Sequence, residues 1–483
     1  MPILKPYLWS IAIIPLSIDE KISRIISQNR HDYPNIYDQL QMIRPEQAAL
    51  AERQRLDLLH AVTASGAVNA CRGTKPYTHQ LSPGCRLCIE GSWSCLFING
   101  RCNCKCFYCP SSQDDIGEPT TNNLSFSTPV TYLEYLKHFD FRGFSLSGGE
   151  PLLTLERSLN YLRTIKKHLG DKIHSWVYTN GSLVTYDILA RLRDCGLDEI
   201  RFDIGALNYA LDKAIMAVGI IPIVTVEIPA VPEEKAGLKG KLKQMADAGI
   251  NFLNLHQLRL TDYNYPHFKK RPYTYLHGEK ITVLESELTA LELIKYAQDE
   301  QLELPINYCS FTYKNRYQQA AARARGAIDM SRGHEQVTAA GYLRNCSVKA
   351  EPERLQVVAG QLKHTDANHW TQAPAGNQLY FAASLWHHLN TGDLPVRIDY
   401  AQTRVSATLS YHLPFREIKL SGGRNIVIER SQAASFALTS KQAQLFFTRL
   451  ATANAEANDL FHSELPPELF LYEDIAYGLQ PYF

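Results

Sequence analysis

Between residues 93 and 258 the chain alternates short apolar runs with longer segments whose apolar residues recur at helical spacing. The runs at 93–98, 143–147, 174–179, 199–204, 221–228 and 252–258 predict strands. The segments between them predict helices at 130–139, 155–167, 185–194, 208–216 and 234–248. Such a regular beat of strand and helix argues for parallel βα units. Six units are too few for a closed eight-stranded barrel and fit an open, partial one.

The flanks read differently. Ile22, Ile25 and Ile26 lie at helical spacing, and a second helix is predicted at 45–62, so residues 1–80 form a helical N-terminal cap. Glu52, Arg53 and Arg55 read as its solvated face. After the sixth strand come a polar, aromatic-rich linker at 261–280 and a long amphipathic helix at 283–302. A further strand at 306–310 ends in a cysteine, and a basic helix follows at 314–325. From about 351 the texture changes to strand-like runs such as 404–411 and 425–430, a helix at 440–453 and an aromatic tail at 477–483. The expected organisation is a cap (1–80), a barrel (81–330) and a small α+β domain (351–483).

Composition narrows the classes. A chain of 483 residues exceeds what one core usually supports. Hydrophobic residues at 45% and charged residues at 20% are ordinary for a globular protein, and a net charge of +1 gives no general pull toward nucleic acid or membrane. The apolar run at 7–18 is too short to span a bilayer, so neither secretion nor a membrane span is expected. Eight of the 11 cysteines fall between Cys71 and Cys109 at ligand-like spacings, which points to a reducing, cytoplasmic setting.

The chemistry gathers in Arg101-Cys102-Asn103-Cys104-Lys105-Cys106-Phe107-Tyr108-Cys109-Pro110. Thiolates at Cys102, Cys106 and Cys109 can wrap one face of an iron–sulfur cube from a single short loop. A cube has a fourth iron, which is left open to a chelating small molecule, as in catalytic rather than structural metal sites. Zinc ligation and inert buried thiols are the competing readings.

This spacing, Tyr108 just before the last cysteine, and Ser147-Gly148-Gly149-Glu150-Pro151 after the second strand resemble the radical S-adenosylmethionine (SAM) superfamily. Further stretches around Gly84 to Cys88, Glu227 to Pro232, Phe252 to Leu255, and Tyr308 to Ser310 with Lys314 and Gln318 are similar to a group described as related to pyruvate formate-lyase activating enzyme. The resemblance implies a radical SAM partial (βα)6 barrel. It also implies an enzyme whose three cysteines hold a [4Fe–4S] cluster, with SAM on the fourth iron. One electron then cleaves the sulfonium, and the 5′-deoxyadenosyl radical takes hydrogen from a substrate. By the same resemblance Gly148, Gly149 and Glu150 hold the amino group of SAM. Asn180 and Asp203 meet its methionyl carboxylate and ribose, Asp203 being suited to the ribose hydroxyls, and Tyr108, Glu227 and Asn254 line the cofactor or substrate pocket. A peptide or small molecule is the expected substrate, and a small flavodoxin- or ferredoxin-type protein the electron donor.

Two features stand beside this. Cys85 and Cys88, delivered by a Pro-Gly turn, together with Cys309 suggest an auxiliary iron–sulfur or zinc site; Cys71, Cys95 or Cys104 would supply another ligand. The role of Cys104 inside the loop is open. Lys269, Lys270 and Arg271, and the stripe Lys314, Arg316, Arg323 and Arg325, read as solvated surfaces, with RNA phosphate as the alternative. The rival to an enzyme is a cysteine-rich electron carrier or a zinc-stabilised RNA-binding module.

Overall fold

The computed structural model describes residues 18–452 and 464–482. The apolar run at 7–18 up to position 17, the last residue of the helix expected at 440–453, and Phe483 lie outside the described residues.

Helices α1 (Ile18–Asp32) and α2 (Pro45–Ala64) precede β1 (Lys75–Tyr77), α3 (Pro83–Ile89) and β2 (Trp93–Asn99). Helix–strand pairs follow: α4 (Pro129–His138) and β3 (Gly143–Gly148), α5 (Leu155–Leu169) and β4 (His174–Thr179), α6 (Tyr186–Asp194) and β5 (Glu199–Phe202). Three more complete the run: α7 (Asp212–Ala217) and β6 (Ile223–Pro229), α8 (Lys235–Asp247) and β7 (Phe252–His256), α9 (Leu284–Asp299) and β8 (Ile306–Cys309). Side-chain caps start several of these helices; Thr128 and Thr185 accept from the amides of Thr131 and Ile188.

Six consecutive parallel pairings, from β2–β3 to β7–β8, link seven strands. The six expected strands stand in the expected order, and the segment at 306–309 joins them as a seventh. β1 then pairs antiparallel with β8 at Tyr77 and Asn307, so part of the expected helical cap is an edge of the sheet. Alternation along each strand sets the layers. Ile200 and Phe202 belong to an apolar core with Leu189 and Leu192 of α6, whereas Glu199 and Arg201 turn to the barrel interior.

Beyond α10 (Gln319–Met330), seven strands form one antiparallel sheet. They are β9 (Glu335–Val337), β10 (Leu343–Lys349), β11 (Trp370–Gln372), β12 (Gln378–Phe381), β13 (Val396–Ser406), β14 (Phe415–Lys419) and β15 (Asn425–Leu438). With α11 (Pro352–Gly360) and α12 (Ser440–Thr452) this is the α+β unit, and β10, in its middle, precedes residue 351. The strand expected at 404–411 ends at Ser406 as the tail of β13, and the run at 425–430 continues to Leu438.

The basic stripe before and along α10 is not a solvated face. Arg316 donates to the carbonyls of Ala476 and Gly478, Arg323 to Ala340, and Arg325 to Gly91. These guanidinium groups satisfy carbonyls that close packing removes from water. Arg55 likewise is 7% exposed and pairs with Glu287 at 3.2 Å. Among the described residues no helix is long and apolar enough to cross a membrane.

Candidate active site

The cysteine loop leaves β2, and the Gly148–Glu150 turn leaves β3 beside it. Backbone bonds zip the two together: Gly149 N donates to Asn99 O (3.0 Å) and Glu150 N to Arg101 O (2.7 Å). A Cβ on Gly148, which stands at φ +116°, would meet Asn99 O at 2.0 Å, and one on Gly149 would meet Arg101 O at 2.0 Å. The glycines are therefore required by approach to the base of the cysteine loop, where close approach to a ligand was expected.

Glu150 is fully buried. Its carboxylate accepts from Leu152 N (3.0 Å), Thr179 Oγ1 (2.9 Å) and Asn180 N (2.7 Å), tying the ends of β3 and β4. Burial pushes its pKa up against these bonds. Asn180 then reaches the loop, with Nδ2 2.9 Å from Asn103 Oδ1 and 3.6 Å from Cys102 Sγ.

Asp203 follows the end of β5 and accepts from Tyr108 Oη (2.8 Å) and Gly205 N (3.1 Å). A Cβ on Gly205 would lie 2.4 Å from that hydroxyl, so glycine makes the contact feasible. Burial raises the Asp203 carboxyl to about 6 even with these donors in place. Phe107 and Tyr108 also pack into an aromatic cluster with Tyr33, Tyr37, Tyr265 and Phe268, and Arg271 lies 3.7 Å over the Phe107 ring. Arg271, read as a solvated cation, is a prop under the cysteine loop.

Below the strand ends the barrel interior is polar. Arg201 donates to Glu199 (2.9 Å) and Glu227 (2.7 Å), and Glu227 also accepts from Asn254 (2.9 Å) and His256 (2.5 Å). Burial opposes both carboxylate charges, but Arg201 overrides it, with His174 aiding Glu199 and His256 aiding Glu227; Glu199 falls to about 2 and Glu227 well below its usual range. Glu227 and Asn254 sit within β6 and β7, two residues short of each strand's last residue, rather than at the tips.

The radical SAM superfamily model matches residues 96–220, which hold the cysteine loop, the Gly-Gly-Glu turn, Asn180 and Asp203. The chain carries a radical SAM domain. Over 276 residues it is 29% identical to a protein of Methanocaldococcus jannaschii named as a glycyl-radical enzyme activating enzyme, covering 55% of this chain and 72% of that one. A GTP 3′,8-cyclase of Campylobacter curvus is 29% identical over 156 residues; the match spans 32% of this chain and about half of the relative, 47%. A crystal structure of SuiB from Streptococcus suis bound to its precursor peptide SuiA aligns over 45% of this chain and 49% of that one, at 12% identity and a TM-score of 0.34.

A radical SAM domain implies an enzyme that uses a [4Fe–4S] cluster and SAM, and the loop's donor set fits the cluster. Cys102, Cys106 and Cys109 are all free and half-buried, and Cys109 lies within electrostatic reach of both Cys102 and Cys106. Burial, with Asp203 adding to it, pushes the Cys106 thiol up to about 12, a cost that bound iron would offset. Cys102 Sγ receives Cys104 N at 3.4 Å, and Cys109 Sγ receives Gln113 Nε2 at 3.8 Å. A cube spreads its thiolates over separate irons, whereas zinc gathers its ligands on one ion.

Cys85, Cys88 and Cys309 line a cavity of about 170 Å³ inside the barrel, together with Arg201, Glu227, Asn254 and His256. The expected Pro-Gly knuckle is instead the start of α3, with Pro83 in its first turn and Ser82 Oγ accepting from Cys85 N. Its glycine serves the interior, since a Cβ on Gly84 would meet Arg201 Nη2 at 2.3 Å. Lys75 and Lys314 line the same cavity, and neither was singled out for it in the sequence. A lone lysine in a short edge strand has no periodic signature, and Lys314 reads as one more charge in a basic stripe.

Proposed function

We propose that this chain reductively cleaves SAM at a [4Fe–4S] cluster on Cys102, Cys106 and Cys109 and abstracts hydrogen from a peptide or small molecule held in the barrel. One observation carries the reading: three half-buried thiols on one loop, zipped to a glycine turn at the C-terminal ends of parallel strands. When bound, the cluster and SAM supply the electron transfer, sulfonium cleavage and hydrogen abstraction.

The chain's own residues bind and orient. The Gly148–Glu150 turn holds the amino group of SAM, with Glu150 fixing its shape through its bonds to Thr179 and Asn180. Asn180, beside Cys102, and Asp203, aligned by Tyr108, take the carboxylate and ribose. Arg201, Glu227, Asn254 and His256 give the substrate pocket fixed hydrogen-bonding partners. The loop's outer edge exposes Arg101 and Lys105, which suits an acidic flavodoxin- or ferredoxin-type electron donor. Cys85, Cys88 and Cys309 carry an auxiliary metal centre of iron–sulfur or zinc type.

Anaerobic reconstitution followed by reduction with SAM tests the reading. The full chain is expected to release 5′-deoxyadenosine, and the Cys102→Ala/Cys106→Ala/Cys109→Ala chain none. A cluster-loaded full chain that releases none contradicts it.

A further inference from the structure

We propose that the auxiliary centre is an iron–sulfur cluster on Cys85, Cys88 and Cys309, with Lys75 as its buried counter-cation and one iron left without a cysteine. The inference rests on the radical-enzyme reading only in giving that iron a use, as the anchor for a substrate that can chelate it.

Cys85 and Cys88 stand three residues apart on α3, and therefore on one face of it. Cys309 ends β8. These two elements bring all three thiols to the walls of the same cavity of about 170 Å³. Hydrogen bonds reach the sulfurs of Cys88 and Cys85, and Cys85 Sγ in turn donates to Asn254 Oδ1 (3.5 Å). Tyr313 Oη (3.2 Å) and Gln318 Nε2 (3.0 Å) point at Cys88 Sγ, and Asn307 Nδ2 (3.7 Å) at Cys85 Sγ. Donors of this kind stabilise a thiolate more than a thiol.

Lys75 makes the stronger case. It is 1% exposed and has no carboxylate partner among the described residues; its ammonium lies 4.4 Å over the Tyr313 ring, with Cys309, Cys85, Cys88 and Cys71 as its electrostatic neighbours. A buried ammonium needs an anion, which a thiolate of these cysteines supplies and a neutral thiol or a disulfide does not. Three thiolates on a doubly positive cube leave one net negative charge, opposite in sign to Lys75 and Lys314 on the same cavity. Trp176 Nε1 and Asn307 Oδ1, on the same cavity, are buried without hydrogen-bond partners, so polar atoms are still to be met there. Zinc would gather its ligands on one ion, whereas a cube spreads three thiolates over separate irons. Cys71 does not line the cavity, which leaves three cysteines for four irons.

Iron and sulfide counting on anaerobically reconstituted full-length chains decides. The wild type is expected to hold about eight irons and the Cys102→Ala/Cys106→Ala/Cys109→Ala chain about four, with matching sulfide. Adding Cys85→Ala, Cys88→Ala and Cys309→Ala should remove the rest. A loop variant without iron, beside a wild type holding about four, overturns the proposal. So does stoichiometric zinc in protein isolated without reconstitution. The loop variant alters only half-buried positions, so its iron count decides even if the interior variant does not fold. The two readings fail separately. Cys85→Ala/Cys88→Ala/Cys309→Ala with wild-type iron and active SAM cleavage defeats this one alone; a doubly loaded wild type that leaves SAM intact defeats the radical reading alone.

Discussion

Asp203 shows how far single side chains are tuned in advance. Burial raises its carboxyl to about 6, although the Tyr108 hydroxyl and the Gly205 amide favour the charged form. In the iron-free protein, the folded state thus keeps a proton that the unfolded chain has lost between roughly pH 4 and 6. This contribution to stability is fully present below the unfolded value and is lost as pH rises through about 6. Asp203→Asn removes the charge while keeping an acceptor for Tyr108. It is expected to stabilise the iron-free protein at pH 8 by on the order of 1 kcal/mol, and the gain should shrink as pH is lowered through 6. Thermal melts at pH 5 and pH 8 check this; a gain independent of pH would contradict it.

At the scale of elements, the site depends on two loops that behave as one. The Gly148–Glu150 turn and the cysteine loop share backbone bonds and leave no room for a Cβ between them. Gly149→Ala must therefore displace the Arg101 carbonyl. The expected cost is about 1–3 kcal/mol of stability, together with loss of most of the iron retained after desalting; wild-type melting and iron content would refute the coupling. Much of this level was legible in the sequence. The strand order and the positions of the cysteine loop, Gly-Gly-Glu turn, Asn180 and Asp203 follow from alternation and from motifs a few residues long. The helical state of Pro83–Ile89 was not, because a Pro-Gly pair also starts a turn. Nor was the π-helical turn at Lys314–Gln318, which helical periodicity reads as ordinary helix. Arg201, Glu227, His256 and Lys314 meet across β5, β6, β7 and the turn after β8, and sequence spacing carries no record of such long-range pairs.

Across the whole molecule, both flanking segments brace the barrel. Glu287 of α9 accepts from Arg55 of α2, from Tyr308 of β8 and from Tyr482 of the C-terminal tail, so cap, barrel and tail meet at one buried carboxylate. On the other side a Cβ on Gly326 of α10 would approach Thr403 of β13 to 2.7 Å, and the Thr403 hydroxyl donates to Arg323 O at 2.7 Å. The cap contributes Tyr33 and Tyr37 to the aromatic cluster behind Phe107 and Tyr108, linking a distant part of the chain to the cysteine loop. On the proposed reading Cys102, Cys106 and Cys109 hold the cluster and SAM, rather than a fourth protein ligand, takes the remaining iron, and that is the central claim. Electron–nuclear double resonance on the reduced cluster, with SAM carrying labelled nitrogen and oxygen in its methionyl group, tests it most directly. Hyperfine coupling to both labels is expected, present in the Cys85→Ala/Cys88→Ala/Cys309→Ala chain and lost with Cys102, Cys106 and Cys109. A reduced loop cluster that shows no coupling to either label would contradict it.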